Sequence, residues 1–530
     1  MRACQPPQSL QMKNLFRAKS IDELASGAER PGQQLKRVLG PVQLTFLGIG
    51  AIIGAGLFST VGTAAAGGSG HIGAGPALVV SFVLVAIACG FAALCYAEFA
   101  SMVPVAGSAY TYAYATLGQF MAWVIGWDLI LEYAVGNVAV AISWSEYFQT
   151  LLRGLHFEWP LWLGVDYRTA LDASKAAAEA VAKNSDLSAL GDAVLRGSQA
   201  MKEAPRFAGI PIVFNLPAVL ITVLLTWILV RGIRESSKFN TVMVVLKLAI
   251  VAFFIGVGMF YVKPENWSPF APNGFQGISS AAGVIFFAYI GFDAVSTCAE
   301  ETRDPQRSLP IGIIASLIVC TVIYVIAALV LTGMLPWKEF SGVADPLAKV
   351  FSERGLNWTA GIISLGAVFA TTSVLLVYQL GQPRILFSMA RDGLLPAWAA
   401  RVHPRFQTPH IPTILTGVFV AGLSAVANIN EMADVCSIGT LFAFILVAVG
   451  ILVLRRIDPD RPRPFRTPWV PWVPLGAILT CGYLMASLPR EAWIRFIGWL
   501  AVGLVIYFCY SYRNAERLER EKPKKAGHVP

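Results

Sequence analysis

Asp293 stands inside an apolar run, GVIFFAYIGFDAVSTCAEE (283–301), two residues after Gly291. A carboxylate at the centre of a bilayer costs about 2.5–3.5 kcal/mol on an insertion scale, so one retained there should face a cavity or a partner. A second run, LTFLGIGAIIGAGLFSTVG (44–62), holds Gly48, Gly50, Gly54 and Gly56 within nine residues. Small-xxx-small spacing, as at Gly50 and Gly54, lets helices pack closely. Four glycines also lower the cost of leaving the helix, which a membrane tolerates only where protein or a wet cavity satisfies the freed backbone. Broken helices have a chemistry of their own. The N-terminus of a half-helix presents free N–H groups and a positive dipole end, which suit a carboxylate. The C-terminus presents free carbonyls, which suit an ammonium group. An amino acid carries both groups.

Three further charges lie within apolar runs. Lys247 falls in FNTVMVVLKLAIVAFFIG (239–256), about seven residues from the start of its span, which is roughly 10–12 Å deep. Two readings stay open. The lysine snorkels to the cytoplasmic surface, or it is a buried amine that titrates and so can bind and release a coupling proton. Asp128 and Glu132 stand four apart and share a helix face, which is unlikely ground for lipid contact. Glu132 could approach a substrate side chain, and a cationic substrate would profit most. The alternative is a structural partner for a polar group on a neighbouring helix.

The elements that must carry these residues are apolar spans. The 530 residues are 56% hydrophobic and 14% charged, against about 25% charged in soluble domains. Spans of the length a bilayer needs fall near 42–66, 75–97, 118–151, 212–231, 240–262, 277–299, 309–334, 357–381, 411–428, 432–454, 469–488 and 494–512. The expected fold class is an all-α membrane protein of about 12 transmembrane helices, with both termini on one side. With that side cytoplasmic, the inside segments hold 27 Lys and Arg and the outside segments 13, seven of them in the long loop 152–211. Long loops weigh little in orientation, so the count agrees with the positive-inside rule. The first 40 residues have no apolar signal core and read as a cytoplasmic tail. The Ala-rich stretch 169–186 favours helix but has a weak apolar stripe, so it is either a short surface helix or largely mobile.

Other chemistries are excluded. A net charge of +9 is scattered over short loops, as topology signals are, and not gathered for nucleic acid. Seven of the eight cysteines lie in apolar blocks as small hydrophobes. The five histidines lie in loops or the tail, so neither a metal site nor a membrane-enzyme constellation is expected. No phosphate-binding loop is present to couple ATP, and no filter-like repeat suggests a channel.

Spans one and six, five apart, both carry interruptions, the strongest pointer to a transporter's binding site, and their placement suggests two five-helix repeats of inverted topology. The runs GIGAIIGAGLF (48–58), YAEFASMVPVAGSAYTYAY (96–114), FFAYIGFDAVSTCAEETRDPQRSLPIGI (286–313) and QPRILFSMARDGLLP (382–396) resemble the amino acid–polyamine–organocation (APC) superfamily. Within it the chain looks like bacterial relatives of the cationic amino acid transporters. The resemblance runs from about residue 36 onward. It implies an inverted 5+5 repeat with helices 1 and 6 discontinuous: a tail at 1–40, the first repeat at 41–262, the second at 277–454, added helices at 469–512 and a basic tail at 513–530.

The same resemblance implies site residues. Gly54, Ala55 and Gly56, with Ile52 and Ile53 before them, correspond to the unwound segment that receives the substrate carboxylate. Phe287, Ala288 and Ile290 correspond to the helix-6 stretch whose carbonyls receive the α-amino group, and Asp293 is an acidic position of that motif. The family's central glycine-triplet residue is often Ser or Thr; Ala55 leaves the binding to backbone N–H groups. A lysine at the place of Lys247 resembles the one that replaces a bound sodium ion in proton-coupled members. Its expected neighbours are the Gly48–Ile49 backbone and the hydroxyls of Thr371, Thr372 and Ser373.

The function expected is secondary active amino acid transport, by proton symport into the cell through alternating access. Helices 1, 2, 6 and 7 would rock against 3, 4, 8 and 9. The alternative is an exchanger without net proton coupling. No cofactor is expected, the coupling ion is a proton, and the partners are substrate, proton and the bilayer of the cell's inner membrane. A small single-helix membrane partner is left open.

Overall fold

The computed structural model describes Ala18 and residues 39–68, 70–103, 105, 107–182, 192–231, 236–343, 345–406 and 408–521. Among these, eight helices are long and apolar enough to cross a membrane, or nine when the bent pair Pro41–Ile52 and Gly56–Ala66 is one span. Each of the twelve apolar runs carries a helix. Three of the helices, Leu216–Arg231, His410–Val426 and Trp472–Ala486, have only 15–17 residues, or about 22–26 Å of rise against a hydrocarbon layer of ~30 Å. Apolar composition marks a run; flanking prolines such as Pro409 and Pro471 shorten the helix within it.

The first run breaks where its glycines are densest. The helix Pro41–Ile52 ends with Ile53 extended at φ −75°, ψ 103°, and the chain restarts in a wide turn, Gly56–Thr60. The two halves are bent by 41°. In the sixth run the helix Gly274–Phe286 tightens at Phe287–Tyr289 and then opens, with Ile290 extended at φ −62°, ψ 137°. Gly291 follows at φ +118°, a conformation that side chains disfavour. Narrow turns over Asp293–Glu301 complete the run. A third irregularity, a wide turn at Leu131–Val135, interrupts the helical stretch carrying Asp128 and Glu132.

Long helices enclose the breaks. Pro305–Met334 packs on both Leu78–Met102 and Pro41–Ile52, and Asn357–Arg391 packs on Gly136–Gly154 and Ser236–Gly258. The two breaks touch each other. A Cβ on Gly56 would overlap the backbone of Ala288, and one on Gly291 would sit 3.0 Å from the Ala51 carbonyl carbon. Of the described cysteines, six are buried and Cys509 is exposed, so Cys509 lies on the outer surface of its run and not among the buried hydrophobes.

A buried clamp closes one end of the helix Leu78–Met102. Glu98, fully buried, accepts hydrogen bonds from Arg455 at 2.9 and 2.8 Å, from Arg463 at 3.1 Å and from the Thr467 N–H at 2.8 Å. Removing one partner of such a pair strands the other charges, at about 3–5 kcal/mol. Glu98→Ala is expected to lower the melting temperature of the purified protein sharply; an unchanged melt would show that solvent already reaches the arginines.

The Ala-rich stretch forms a helix, Tyr167–Ala182, packed on Asp192–Glu203. Its buried face is Ala170, Ala173, Ala177 and Ala180. This stripe was weak in sequence because alanine carries so little apolar area. Asp166 accepts the Thr169 N–H at 2.8 Å and so caps that helix. Burial pushes its carboxyl up to about 7, against the pull of the Thr169 hydrogen bonds. An unfolded aspartate titrates near ~3.9. Between those values the folded chain holds a proton that the unfolded chain has lost. The stabilisation is complete below the lower value and disappears as pH rises through about 7, by at most about 4 kcal/mol. Hydrogen-exchange protection of Tyr167–Ala182 should therefore fall between about pH 4 and pH 7, and Asp166→Asn should flatten that dependence.

Candidate functional site

The end of a helix leaves its last carbonyls free, and Lys247 occupies those at the first break. Its Nζ donates to Gly50 O at 2.8 Å and to Ile53 O at 2.9 Å. A continuous helix would have given these carbonyls to the N–H groups of Gly54 and Leu57. Lys247 is fully buried, so it does not snorkel to a surface. Its neighbours also differ from those expected. The contact is with Gly50 and Ile53, not with Gly48–Ile49, because the carbonyls of Gly48 and Ile49 lie within the regular helix. The hydroxyls of Thr371, Thr372 and Ser373 bond Ala367 O at 2.6 Å, Val368 O at 2.6 Å and Ala370 O at 2.8 Å. Within a helix, such hydroxyls are satisfied by carbonyls one turn back. Thr372 also accepts the Trp144 indole N–H at 2.9 Å.

Beyond the break the chain restarts at Ala55–Gly56, and a restarting helix has first N–H groups without intrahelical partners. Opposite it, two tyrosines reach the freed carbonyls. The Tyr324 hydroxyl lies 2.9 Å from Ile52 O and 2.9 Å from Ala288 O. The Tyr378 hydroxyl lies 3.3 Å from Ile290 O. Ile52, Ile53, Gly54, Ala55, Gly56, Phe287, Ala288 and Ile290 are thus brought together, all buried.

The acidic residues form the next layer. Asp293 accepts the Tyr133 hydroxyl at 3.2 Å through one oxygen, and its other oxygen has no partner. Glu132 directly precedes Tyr133, the donor to Asp293. One Glu132 oxygen and both Asp128 oxygens also lack partners. Among the described residues no lysine, arginine or histidine pairs with any of the three. The wide turn at Leu131–Val135 sets Glu132 and Tyr133 here; such turns recur at functional sites.

Polar contacts flank the first run at both of its ends. On one, His71 Nε2 meets Asp434 at 3.0 Å, and Glu431 meets Arg168 at 2.7 Å and Arg495 at 2.8 Å. On the other, Arg384 reaches Glu301 at 3.3 Å, and Leu39 exchanges backbone bonds with Glu301 and Arg303 at 3.0 Å each. The Arg384–Glu301 contact, being part-exposed, is individually weak. Tyr289 and Phe292 serve packing: Tyr289 donates to Phe82 O at 3.1 Å, and Phe292 stacks obliquely on Phe444 at 5.0 Å. Sequence reasoning missed Tyr133, Tyr324 and Tyr378. The available signal was a phenol hydroxyl in the middle of an apolar run, where it must find an acceptor.

Comparison with known proteins finds relatives along nearly the whole chain. Residues 39–512 match the amino acid permease family. The chain is 46% identical over 503 residues to the branched-chain amino acid permease BcaP of Bacillus subtilis, covering 95% of this chain and 99% of that protein. It is 43% identical over 504 residues to the methylthioribose transporter of the same organism, covering 95% and 99%. It is 35% identical over 455 residues to the vacuolar cationic amino acid transporter 4 of Arabidopsis thaliana, covering 85% and 68%.

Proposed function

This chain belongs to the amino acid permease family, and we propose that it carries amino acids into the cell together with protons, by alternating access across the cell membrane. The observation that carries this reading is the Lys247 amine seated on Gly50 O and Ile53 O, at 2.8 and 2.9 Å. A neutral amine has two N–H donors and an ammonium has three. Both forms can therefore keep the two bonds to the break while the third proton comes and goes. Proton release would then change the charge at the break without unseating the side chain.

The substrate carboxylate would meet the first N–H groups of the restarted helix at Ala55–Gly56, and its ammonium the carbonyls of Phe287, Ala288 and Ile290. Asp128, Glu132 and Asp293 would offer negative charge to a cationic side chain, or hold protons when the side chain is neutral. The relatives' names include branched-chain and cationic amino acids, and both classes are compatible with this cluster. In this reading the twelve apolar helices all cross the membrane, 41–262 and 277–454 are inverted repeats, and both termini are cytoplasmic.

The test is uptake of each of the twenty amino acids into proteoliposomes under an imposed, inside-alkaline pH gradient. At least one amino acid should accumulate above equilibrium and be released by a protonophore. Gradient-insensitive uptake, with exchange against internal amino acid, would replace symport by the exchanger reading.

A further inference from the structure

The Tyr324 hydroxyl is fully buried and equidistant, at 2.9 Å, from a carbonyl of each break, Ile52 O and Ala288 O. A phenol has one proton to donate. Two carbonyls therefore share one donor, and the pair is one donor short. The ring cannot turn aside to relieve this, because Phe82 and Tyr289 hold it with centroids at 5.4 Å each, Tyr289 at 89°. Buried carbonyls without donors are costly, so the hydroxyl lowers the cost of bringing the two breaks together in an empty site. The Tyr378 hydroxyl, at 3.3 Å from Ile290 O, is a weaker contact of the same kind.

We propose that Tyr324 is a positioning residue that stands in for the substrate's ammonium group, bridging the two breaks in the empty carrier and yielding its acceptors when an amino acid binds. This rests on the reading that the second-break carbonyls receive that ammonium. Its consequence is kinetic. For Ile52 O and Ala288 O the loaded carrier has the ammonium's three N–H donors; the empty carrier has the single Tyr324 hydroxyl. Net uptake requires the empty carrier to return through a closed state, whereas exchange requires only loaded crossings. Tyr324 thus selectively speeds the empty return.

The experiment compares Tyr324→Phe with wild type in proteoliposomes, using tritiated L-leucine and, as a second probe, tritiated L-arginine. Net uptake should fall about tenfold or more while exchange against the same internal amino acid stays within about threefold. KM should fall, because the ammonium no longer competes with the hydroxyl. The substrate-induced rise in melting temperature should exceed that of wild type. Equal loss of net uptake and exchange would overturn the proposal, as would a variant unchanged in both. A variant that is folded only with saturating amino acid supports it; one that unfolds with or without amino acid overturns it, since the hydroxyl would then hold the fold and not the site. If wild type moves no amino acid by either route, the amino acid reading itself fails, a result separable from the others.

Discussion

Proteoliposomes carrying Lys247→Ala will equilibrate amino acid across the membrane but will not concentrate it. In the wild type each pH unit of gradient supplies about 1.4 kcal/mol, or a ~tenfold accumulation when one proton accompanies each substrate. In the variant the accumulation ratio should fall to about 1 at any gradient. The reason lies in the seat of the amine: its bonds to Gly50 O and Ile53 O place it directly on the first break. Without it the break has carbonyls but no group there that changes charge. Lys247→Met keeps most of the side-chain volume and should behave as Lys247→Ala does, which separates titration from packing. Lys247→Arg should also uncouple, because a guanidinium keeps its proton. Exchange of labelled for unlabelled amino acid should survive in these variants. Accumulation driven by pH in Lys247→Ala would remove the lysine from the coupling step.

Gly56→Ala will cost the protein nearly all transport. The added methyl would fall on the backbone of Ala288, where the two breaks meet. A side chain can rotate away from such a clash, but a backbone held in its own break cannot, so relief means separating the two halves of the site. Overpacking of this kind costs about 1–3 kcal/mol and more where nothing yields, which corresponds to a fall of roughly 100-fold in uptake at the upper figure. Gly90→Ala is the matched control: a Cβ there meets nothing within 4 Å, and helix propensity alone favours alanine by about 1 kcal/mol. Uptake rates and melting temperatures of the two variants decide the matter. Near-wild-type transport in Gly56→Ala would mean that the breaks stand apart in the working protein.

Much of the architecture was legible because bilayers write it into composition. Apolar runs, charges between them and glycines within the first run locate the helices and the first break, since each follows from the cost of exposing polar groups to hydrocarbon. The second break was legible through Gly291 and Asp293 for the same reason. Helix length was not, as Leu216–Arg231 and Trp472–Ala486 show; termini depend on local caps and prolines. The Glu98 clamp was also hidden. Its partners Arg455 and Arg463 are more than 350 residues away in sequence, and nothing local distinguishes them from topology-setting arginines.

The site divides along the same line. That Gly54, Ala55, Gly56, Ala288, Ile290 and Asp293 lie at interruptions is a property of the residues themselves, because glycine density and a carboxylate in an apolar run act locally on the helix. Which freed carbonyl goes to which donor is not local. The sequence alone could not assign Lys247 to Gly50 and Ile53, keep Thr372 and Ser373 for their own helix, or put one tyrosine hydroxyl between Ile52 and Ala288. Those assignments depend on how five separate helices are rotated and set in depth. A hydrogen bond reports such differences within a few tenths of an ångström, far finer than any periodicity in the chain.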